Sequence, residues 1–170
     1  MNTKERYKFE ERGGEISFMP NYYFLPIIKW GLAAGILVMP VLFYFRNILS
    51  ENAFVIATAL WAVFMGYFLI DLIFRIPVKY IFDKREKCIY RKLFFTKKIM
   101  DFEEMTYFIN EDSGGYYYVI GKKRNQFVKN YRISNYFSGS KKSRLKEEEF
   151  LENILYPVLD AIDVPINRPQ

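Results

Sequence analysis

Two long apolar runs, separated by a short polar connection, constrain this chain more than any other feature of its sequence. The first occupies residues 22–45 and carries one charge, Lys29, and the second occupies residues 53–74 and carries no charge before Asp71. An α-helix rises about 1.5 Å per residue, so each run is long enough to cross the roughly 30 Å hydrocarbon core of a bilayer. The sequence therefore predicts two transmembrane helices.

A soluble fold with two buried core helices is the alternative interpretation. Two helices that are apolar on every side must be enclosed on every side, and the remaining polar residues are too few to do that. The connection at residues 46–52 is short, which makes the two helices antiparallel neighbours. We therefore predict a membrane hairpin over residues 22–75.

The charges that flank the hairpin predict its orientation. Its connection carries one basic residue, Arg46, whereas lysine and arginine crowd the segment after the second helix and four more precede the first. Basic residues are retained on the cytoplasmic side of a membrane. We expect a multi-pass protein of the inner (plasma) membrane with both termini in the cytoplasm.

Lys29 and Asp71 are the charges inside the predicted membrane segments. Folding the hairpin at its connection brings them to a similar depth near the cytoplasmic face, where we expect an intramembrane ion pair. Such charges raise a hypothesis of function, including transport. Because a lysine close to the interface can extend its ammonium group to water, we favour a structural pin over a transport site.

Beyond Pro77 the apolar residues alternate with a period close to two, which is typical of strands. Strands are predicted at residues 78–82, 88–95, 98–110, 116–120 and 126–133. Short turns join them, which favours antiparallel pairing. The N-terminal arm, residues 1–21, contains two short runs on either side of Gly13-Gly14 that predict a hairpin of their own or an added strand of this sheet.

Residues 143–162 predict an amphipathic helix that covers the sheet. Their apolar side chains recur at spacings of three and four, and Ser143 is the expected N-cap. Glu147, Glu148 and Glu149 would then lie in the first turns, where negative charge complements the helix dipole. Pro157 would kink this helix or start a new turn.

A membrane hairpin that continues directly into Tyr80-Ile81-Phe82-Asp83-Lys84-Arg85, an aromatic and basic strand, further strands and a last helix resembles bacterial membrane proteins with pleckstrin-homology-like domains. The resemblance covers residues 20–165. It implies a membrane α-helical hairpin plus an α+β domain, with an antiparallel PH-like sheet or barrel capped by a C-terminal helix. The implied limits are 1–21 for the arm, 22–75 for the hairpin, 76–165 for the domain and 166–170 for a tail. It implies a scaffolding or binding role and supplies no catalytic residues.

The residue inventory argues against an enzyme. Histidine is absent, and Cys88 is the only cysteine, which removes zinc, iron–sulfur and histidine-based acid–base sites. Cys88 lies in an apolar run, so we expect a buried side chain rather than a reactive thiol. Phosphate-binding loops and nucleophile elbows are missing. We expect no catalysis, no cofactor and no metal.

Basic charge is the remaining signal. Residues 75–170 hold 19 lysines and arginines against 13 acidic residues. Near an anionic leaflet each basic residue contributes on the order of 1 kcal/mol, within a Debye length of roughly 10 Å, although ordinary membrane topology explains much of the cluster at residues 75–98. The candidate lipid-binding or partner-binding residues in predicted loops are Lys122, Lys123, Arg124, Lys141, Lys142 and Arg144.

These features favour a noncatalytic membrane-anchored binding or scaffolding module, whose partners are membrane lipids or an unidentified protein. An inner-membrane immunity or assembly factor that acts through the hairpin is the second hypothesis. A small channel is the third, and it requires a homo-oligomer. Nucleic acid is not an expected partner, because the aromatic residues are accounted for as strand core.

Overall fold

A computed structural model describes residues 2–123 and 130–162 of the chain. Its contacts divide the chain into two compact units. The first, here called the sheet unit, combines Met1–Tyr22 with Val78–Gln170, and the second, the hairpin unit, is Tyr23–Pro77. The N-terminal arm thus belongs to the same unit as the domain that follows the hairpin. The predicted tail at residues 166–170 lies outside the described residues.

The arm folds into a short helix and two strands. These elements are α1 (Thr3–Arg6), β1 (Glu10–Arg12) and β2 (Glu15–Phe18). Gly13 and Gly14 form the turn between the strands at φ 60° and 94°, values that glycine adopts without a steric penalty. Strand β2 also pairs antiparallel with β3 (Lys79–Asp83), with Ile16 opposite Phe82. Both options raised by the sequence, a hairpin and an added strand, are therefore realised.

The hairpin unit consists of two long helices, α2 (Leu25–Tyr44) and α3 (Glu51–Ile70). A 3₁₀ turn precedes α2 and a π-helical turn follows α3, so the continuous helical segments are Tyr22–Tyr44 and Glu51–Arg75. Both segments are long and apolar enough to cross a membrane, with mean hydropathy of 1.9 and 2.2. Only 11% of the most apolar window of the first, and none of that of the second, is buried within the protein.

Two glycines of α2 let the helices of the hairpin approach closely. A Cβ at Gly31 would lie 2.6 Å from the ring of Phe68, and a Cβ at Gly35 would collide with the sulfur of Met65. The Trp61 indole N–H donates a hydrogen bond of 2.8 Å to the carbonyl of Gly35, which explains why this tryptophan lies away from the helix ends. Small residues four apart are a common contact face between membrane helices.

The rest of the sheet unit forms antiparallel strands in two sheets. The remaining strands are β4 (Cys88–Lys92), β5 (Thr96–Asp101), β6 (Met105–Asp112), β7 (Gly115–Lys122) and β8 (Tyr131–Arg132). One sheet has the order β1-β2-β3-β4-β5 and the other β6-β7-β8. The architecture is α+β, as predicted, but over the described residues the strands do not close into a barrel.

The single strand predicted over residues 98–110 is wrong. A 3₁₀ turn, Phe102–Glu104, interrupts it and sends β5 and β6 into different sheets. Phe102 and Met105 are both buried. Residues three apart point to opposite faces of a strand, whereas a 3₁₀ turn brings them to the same side, so burial of both side chains favours the break.

The C-terminal helix begins earlier than predicted. It comprises α4 (Lys141–Phe150), a π-helical turn (Leu151–Leu155) and α5 (Tyr156–Ala161), whose first turn contains Pro157. Its N-cap is Ser140, whose side-chain oxygen accepts a hydrogen bond of 3.3 Å from the N–H of Ser143, so the predicted cap at Ser143 is wrong. The first turn consequently holds no acidic residue, and the dipole argument for Glu147–Glu149 fails.

One apolar core joins the arm, the sheets and the C-terminal helix. Phe18 stacks on Phe82 with ring centroids 5.9 Å apart, and Tyr7 contacts Phe150 at 5.1 Å. The fully buried side chains of the core come from every part of the unit: Phe18, Phe82, Phe150, Ile16, Ile89, Met105, Ile120, Ile133, Ile154, Leu155, Leu159 and Val119. Residues from both sides of the hairpin in the sequence thus build a single core.

Candidate functional site

The loop between β4 and β5 carries an exposed apolar cluster. The residues Leu93, Phe94 and Phe95 are here called the aromatic tip; Phe94 is 60% exposed and Phe95 86%, whereas Leu93 is half-buried against the core. The N–H of Leu93 donates a hydrogen bond of 3.4 Å to the carbonyl of Phe95, which closes the loop. Transfer of an exposed phenyl group from water to an apolar environment lowers the free energy. Such a cluster therefore indicates a contact surface.

Basic residues stand directly behind the aromatic tip. Arg91 and Lys97 face each other across β4 and β5, and Lys92 lies opposite Thr96. Arg91, Lys92 and Lys97 are here called the basic rim. Among the described residues, Lys92 and Lys97 form no salt bridge, so their charges are available to an outside ligand.

Arg91 lies opposite the buried Tyr80 in the register of β3 and β4. Burial raises the pKa of Tyr80 to about 12, an effect that the nearby positive charge of Arg91 opposes. The ring of Tyr131, from β8, meets Tyr80 edge-on with centroids 6.3 Å apart. This contact links the base of the tip to the second sheet.

An open groove of about 280 Å³ lies beside the tip. Its lining residues are Arg91, Leu93, Phe94, Phe95, Lys97, Ile99 and Tyr131. The walls are mostly apolar, and two cations but no carboxylate line it. An amphiphile with an anionic head group matches this combination of surfaces.

Lys122 and Lys123, predicted as binding residues, lie where β7 ends. The ammonium of Lys122 pairs with Glu104 at 2.7 Å, and this hydrogen bond holds the pKa of Glu104 below its usual range. The backbone N–H of Lys123 donates to the Glu104 carbonyl, and its side chain is exposed. Arg124 lies outside the described residues.

Lys141, Lys142 and Arg144 are exposed in the first turns of α4. Phe137 anchors the chain just before this helix by bridging to Tyr116 near the start of β7, whereas Lys122 lies six residues further along that strand. Six residues of strand span about 20 Å. The structure thus places the two predicted basic clusters near opposite ends of β7, and their role in binding stays a prediction.

Asp71 pairs with Arg75 of the same helical segment. Its carboxylate accepts a hydrogen bond from Arg75, one helical turn later, at 3.2 Å. Lys29 is exposed on α2, and the salt bridges among the described residues do not include it. The Lys29–Asp71 pair stays a prediction.

Glu147 is the centre of a structural polar cluster. The hydroxyl of Tyr118 donates to one of its carboxylate oxygens at 2.7 Å, and that of Tyr116 donates to the other. Burial, followed by the carboxylate, raises the pKa of Tyr116 to about 12 and that of Tyr118 further. The two hydrogen bonds from these phenols tie β7 to α4.

Cys88 is buried, as predicted, and burial raises the pKa of its thiol. Within the described parts of the chain, histidine, cysteine and acidic residues form no group of three suited to a metal ion.

The aromatic tip was missed by sequence reasoning. The alternating pattern predicts residues 93–95 as the end of a strand, whereas β4 ends at Lys92 and β5 begins at Thr96. Three consecutive apolar side chains cannot all face one side of a strand. That run, flanked by Lys92 and Lys97, was the signal for an exposed loop. Comparison of the chain with protein-family models, curated proteins and solved structures finds no match, so the resemblance to pleckstrin-homology-like proteins stays a prediction.

Proposed function

We propose that this chain is a noncatalytic, membrane-anchored binding or scaffolding protein. The hairpin unit crosses the inner membrane twice, and the sheet unit lies in the cytoplasm, where it engages the anionic leaflet or a protein. The observation that carries the proposal is the exposed apolar surface of α2 and α3: only 11% of the most apolar window of the first helical segment, and none of that of the second, is buried. Water would make that exposure costly, whereas lipid solvates it.

The pairing of β2 with β3 supports a double crossing. These strands lie on either side of the hairpin in the sequence, and four residue pairs join them, from Glu15–Asp83 to Phe18–Tyr80. Strands that share a sheet must share a compartment. The chain between them therefore crosses the membrane an even number of times, which agrees with two helices of spanning length.

The cytoplasmic location of the sheet unit follows from charge. Residues 75–98 carry nine basic and two acidic residues, and basic flanks remain on the cytoplasmic side. The same charges favour contact with an anionic leaflet. The alternative of an immunity or assembly factor acting through the hairpin stays a prediction.

Membrane extraction tests the proposal. The full chain should stay in the membrane pellet after alkaline carbonate treatment. Val63, 72% exposed in the middle of α3, should not tolerate arginine, because a charge at the bilayer centre costs about 2.5–3.5 kcal/mol. Val63→Arg should therefore reduce the integrated fraction.

The matched control is Ile109→Arg, which places the same charge on an exposed apolar residue of β6 and should leave integration unchanged. Release of the unmodified chain by carbonate, or equal behaviour of the two variants, would overturn the proposal.

A further inference from the structure

We infer that the aromatic tip inserts into the interfacial layer of an anionic bilayer while the basic rim contacts lipid phosphates. The inference rests on the proposed function, because the bilayer concerned is the one that the hairpin crosses. It assigns lipid contact to Phe94 and Phe95 at the apex, with Arg91, Lys92 and Lys97 behind them.

The strand register places the tip at the end of the sheet from which the chain enters and leaves the hairpin unit. Lys79, the first residue of β3, lies opposite Lys92, the last residue of β4 before the tip. Phe18, the last residue of β2, lies opposite Tyr80. Both connections to the hairpin unit thus start from the sheet end that carries the tip.

The short connection keeps this end of the sheet close to any bilayer that α3 crosses. The helical segment ends at Arg75 and β3 begins at Lys79. Four residues of fully extended chain span at most about 14 Å. Chain connectivity therefore favours contact between a loop at this end of the sheet and the lipid head groups.

The order of chemical groups along the tip matches the order of layers in a membrane. The two phenyl groups form the apex and the cations stand two to four residues behind them, so insertion would place apolar rings below the head groups and cations among the phosphates. The groove beside the tip adds an apolar wall, and Arg91 and Lys97, which also line the groove, would contact the same phosphates. The apolar apex corresponds to the layer below the head groups, and the cations behind it correspond to the phosphates. This order favours a bilayer over a protein partner.

A polarity-sensitive fluorophore tests the insertion in the full chain. Phe95→Cys in a Cys88→Ser background takes a nitrobenzoxadiazole label, and the protein is reconstituted into nanodiscs of phosphatidylcholine with or without phosphatidylglycerol. The emission should shift to the blue and be quenched by a lipid-borne nitroxide when phosphatidylglycerol is present. Ile109→Cys, an exposed apolar position in the other sheet, should show neither change and serves as the matched control.

Charge variants test the basic rim separately from net charge. In the labelled protein, Lys92→Gln with Lys97→Gln should lower the equilibrium constant for insertion about five-fold per charge, since each cation near an anionic surface contributes on the order of 1 kcal/mol. Lys141→Gln with Lys142→Gln removes the same charge from the start of α4 and should have a smaller effect. Equal effects of the two pairs would overturn the role of the rim.

The outcomes distinguish this inference from the proposed function. A protein that fails to integrate into nanodiscs overturns the proposed function. A protein that integrates while the label at position 95 stays unquenched overturns the inference alone. A blue shift that appears only when cytosolic proteins are added also overturns it, because the tip would then bind a protein.

Discussion

Replacing Phe18 by alanine should unfold the sheet unit far more readily, although this residue lies in an N-terminal arm remote in sequence from the rest of the core. Phe18 is fully buried and contacts the rings of Tyr80 and Phe82. Truncating a buried phenylalanine to alanine costs about 3–5 kcal/mol, through lost burial and the cavity left behind. The free energy of unfolding of a typical domain is about 5–15 kcal/mol, so the expected loss is a large share of its stability.

Cys88 provides the readout for this variant. It is the only cysteine and is buried in β4, so a thiol reagent reaches it only when the sheet opens. The free energy of unfolding of a small protein falls by about 1–3 kcal/mol per molar urea, so Phe18→Ala should lower the urea midpoint of Cys88 labelling by about 1–5 M. Tryptophan fluorescence cannot replace it, because Trp30 and Trp61 both lie in the hairpin unit.

Phe95→Ala is the control, since it removes the same side chain from a position that is 86% exposed and should leave the midpoint unchanged. An unchanged midpoint in Phe18→Ala itself would show that the arm is not part of the core, and the reasoning about both chain ends would fail.

Three further changes test other parts of the fold. Gly35→Ala should loosen the hairpin and alter Trp61 fluorescence, because its Cβ would collide with Met65. The control Gly66→Ala places its Cβ in open space and should be neutral. Equal fluorescence spectra of the two variants would refute the close contact. Ser140→Ala should lower the free energy of unfolding in urea by about 1 kcal/mol, because it removes the α4 cap. An unchanged free energy of unfolding would place the cap elsewhere. The pKa of Tyr116 is raised from 10.0 to about 12, so the stability that this shift contributes is complete below pH 10 and is lost as the pH rises toward 12. Urea midpoints should fall across that interval, and less steeply in Tyr116→Phe; an identical fall would contradict the assignment.

Features set by local chemistry were predictable from the sequence. The apolar length of the two runs indicated helices of spanning length. The short turn predicted between the strands at residues 78–82 and 88–95 was confirmed, and its signals are local. Asp83 accepts hydrogen bonds from the N–H groups of Arg85 and Glu86, and Lys87 adopts a positive φ of 51°. Each of these contacts involves residues close in the chain.

Features set by a choice between equivalent neighbouring residues, or by distant contacts, were not predictable in the same way. The start of the last helix depends on Ser140, while Ser143 is an equally good cap by type, and its Oγ instead accepts a hydrogen bond from the N–H of Ser138. Glu147 meets the hydroxyl of Tyr118, 29 residues away. Sequence periodicity carries no information about such partners, so the role of Glu147 emerged only from the fold.

The exposure of the aromatic tip also depends on register. Phe94 and Phe95 have the composition of strand core, and the pairing of Lys92 with Thr96 places them in the loop. The binding surface proposed here therefore differs from the basic loops that charge alone predicted.

Cysteine labelling in intact cells tests the central claim most directly, that a hairpin crosses the membrane and both chain ends build one cytoplasmic unit. The positions are Asn47→Cys between the helices, Arg12→Cys in β1 and Ser113→Cys in the β6–β7 turn, each in a Cys88→Ser background. An impermeant maleimide added outside should modify position 47, and should modify positions 12 and 113 only after the membrane is permeabilised. Different accessibility of positions 12 and 113, or labelling of both from outside, would contradict the account.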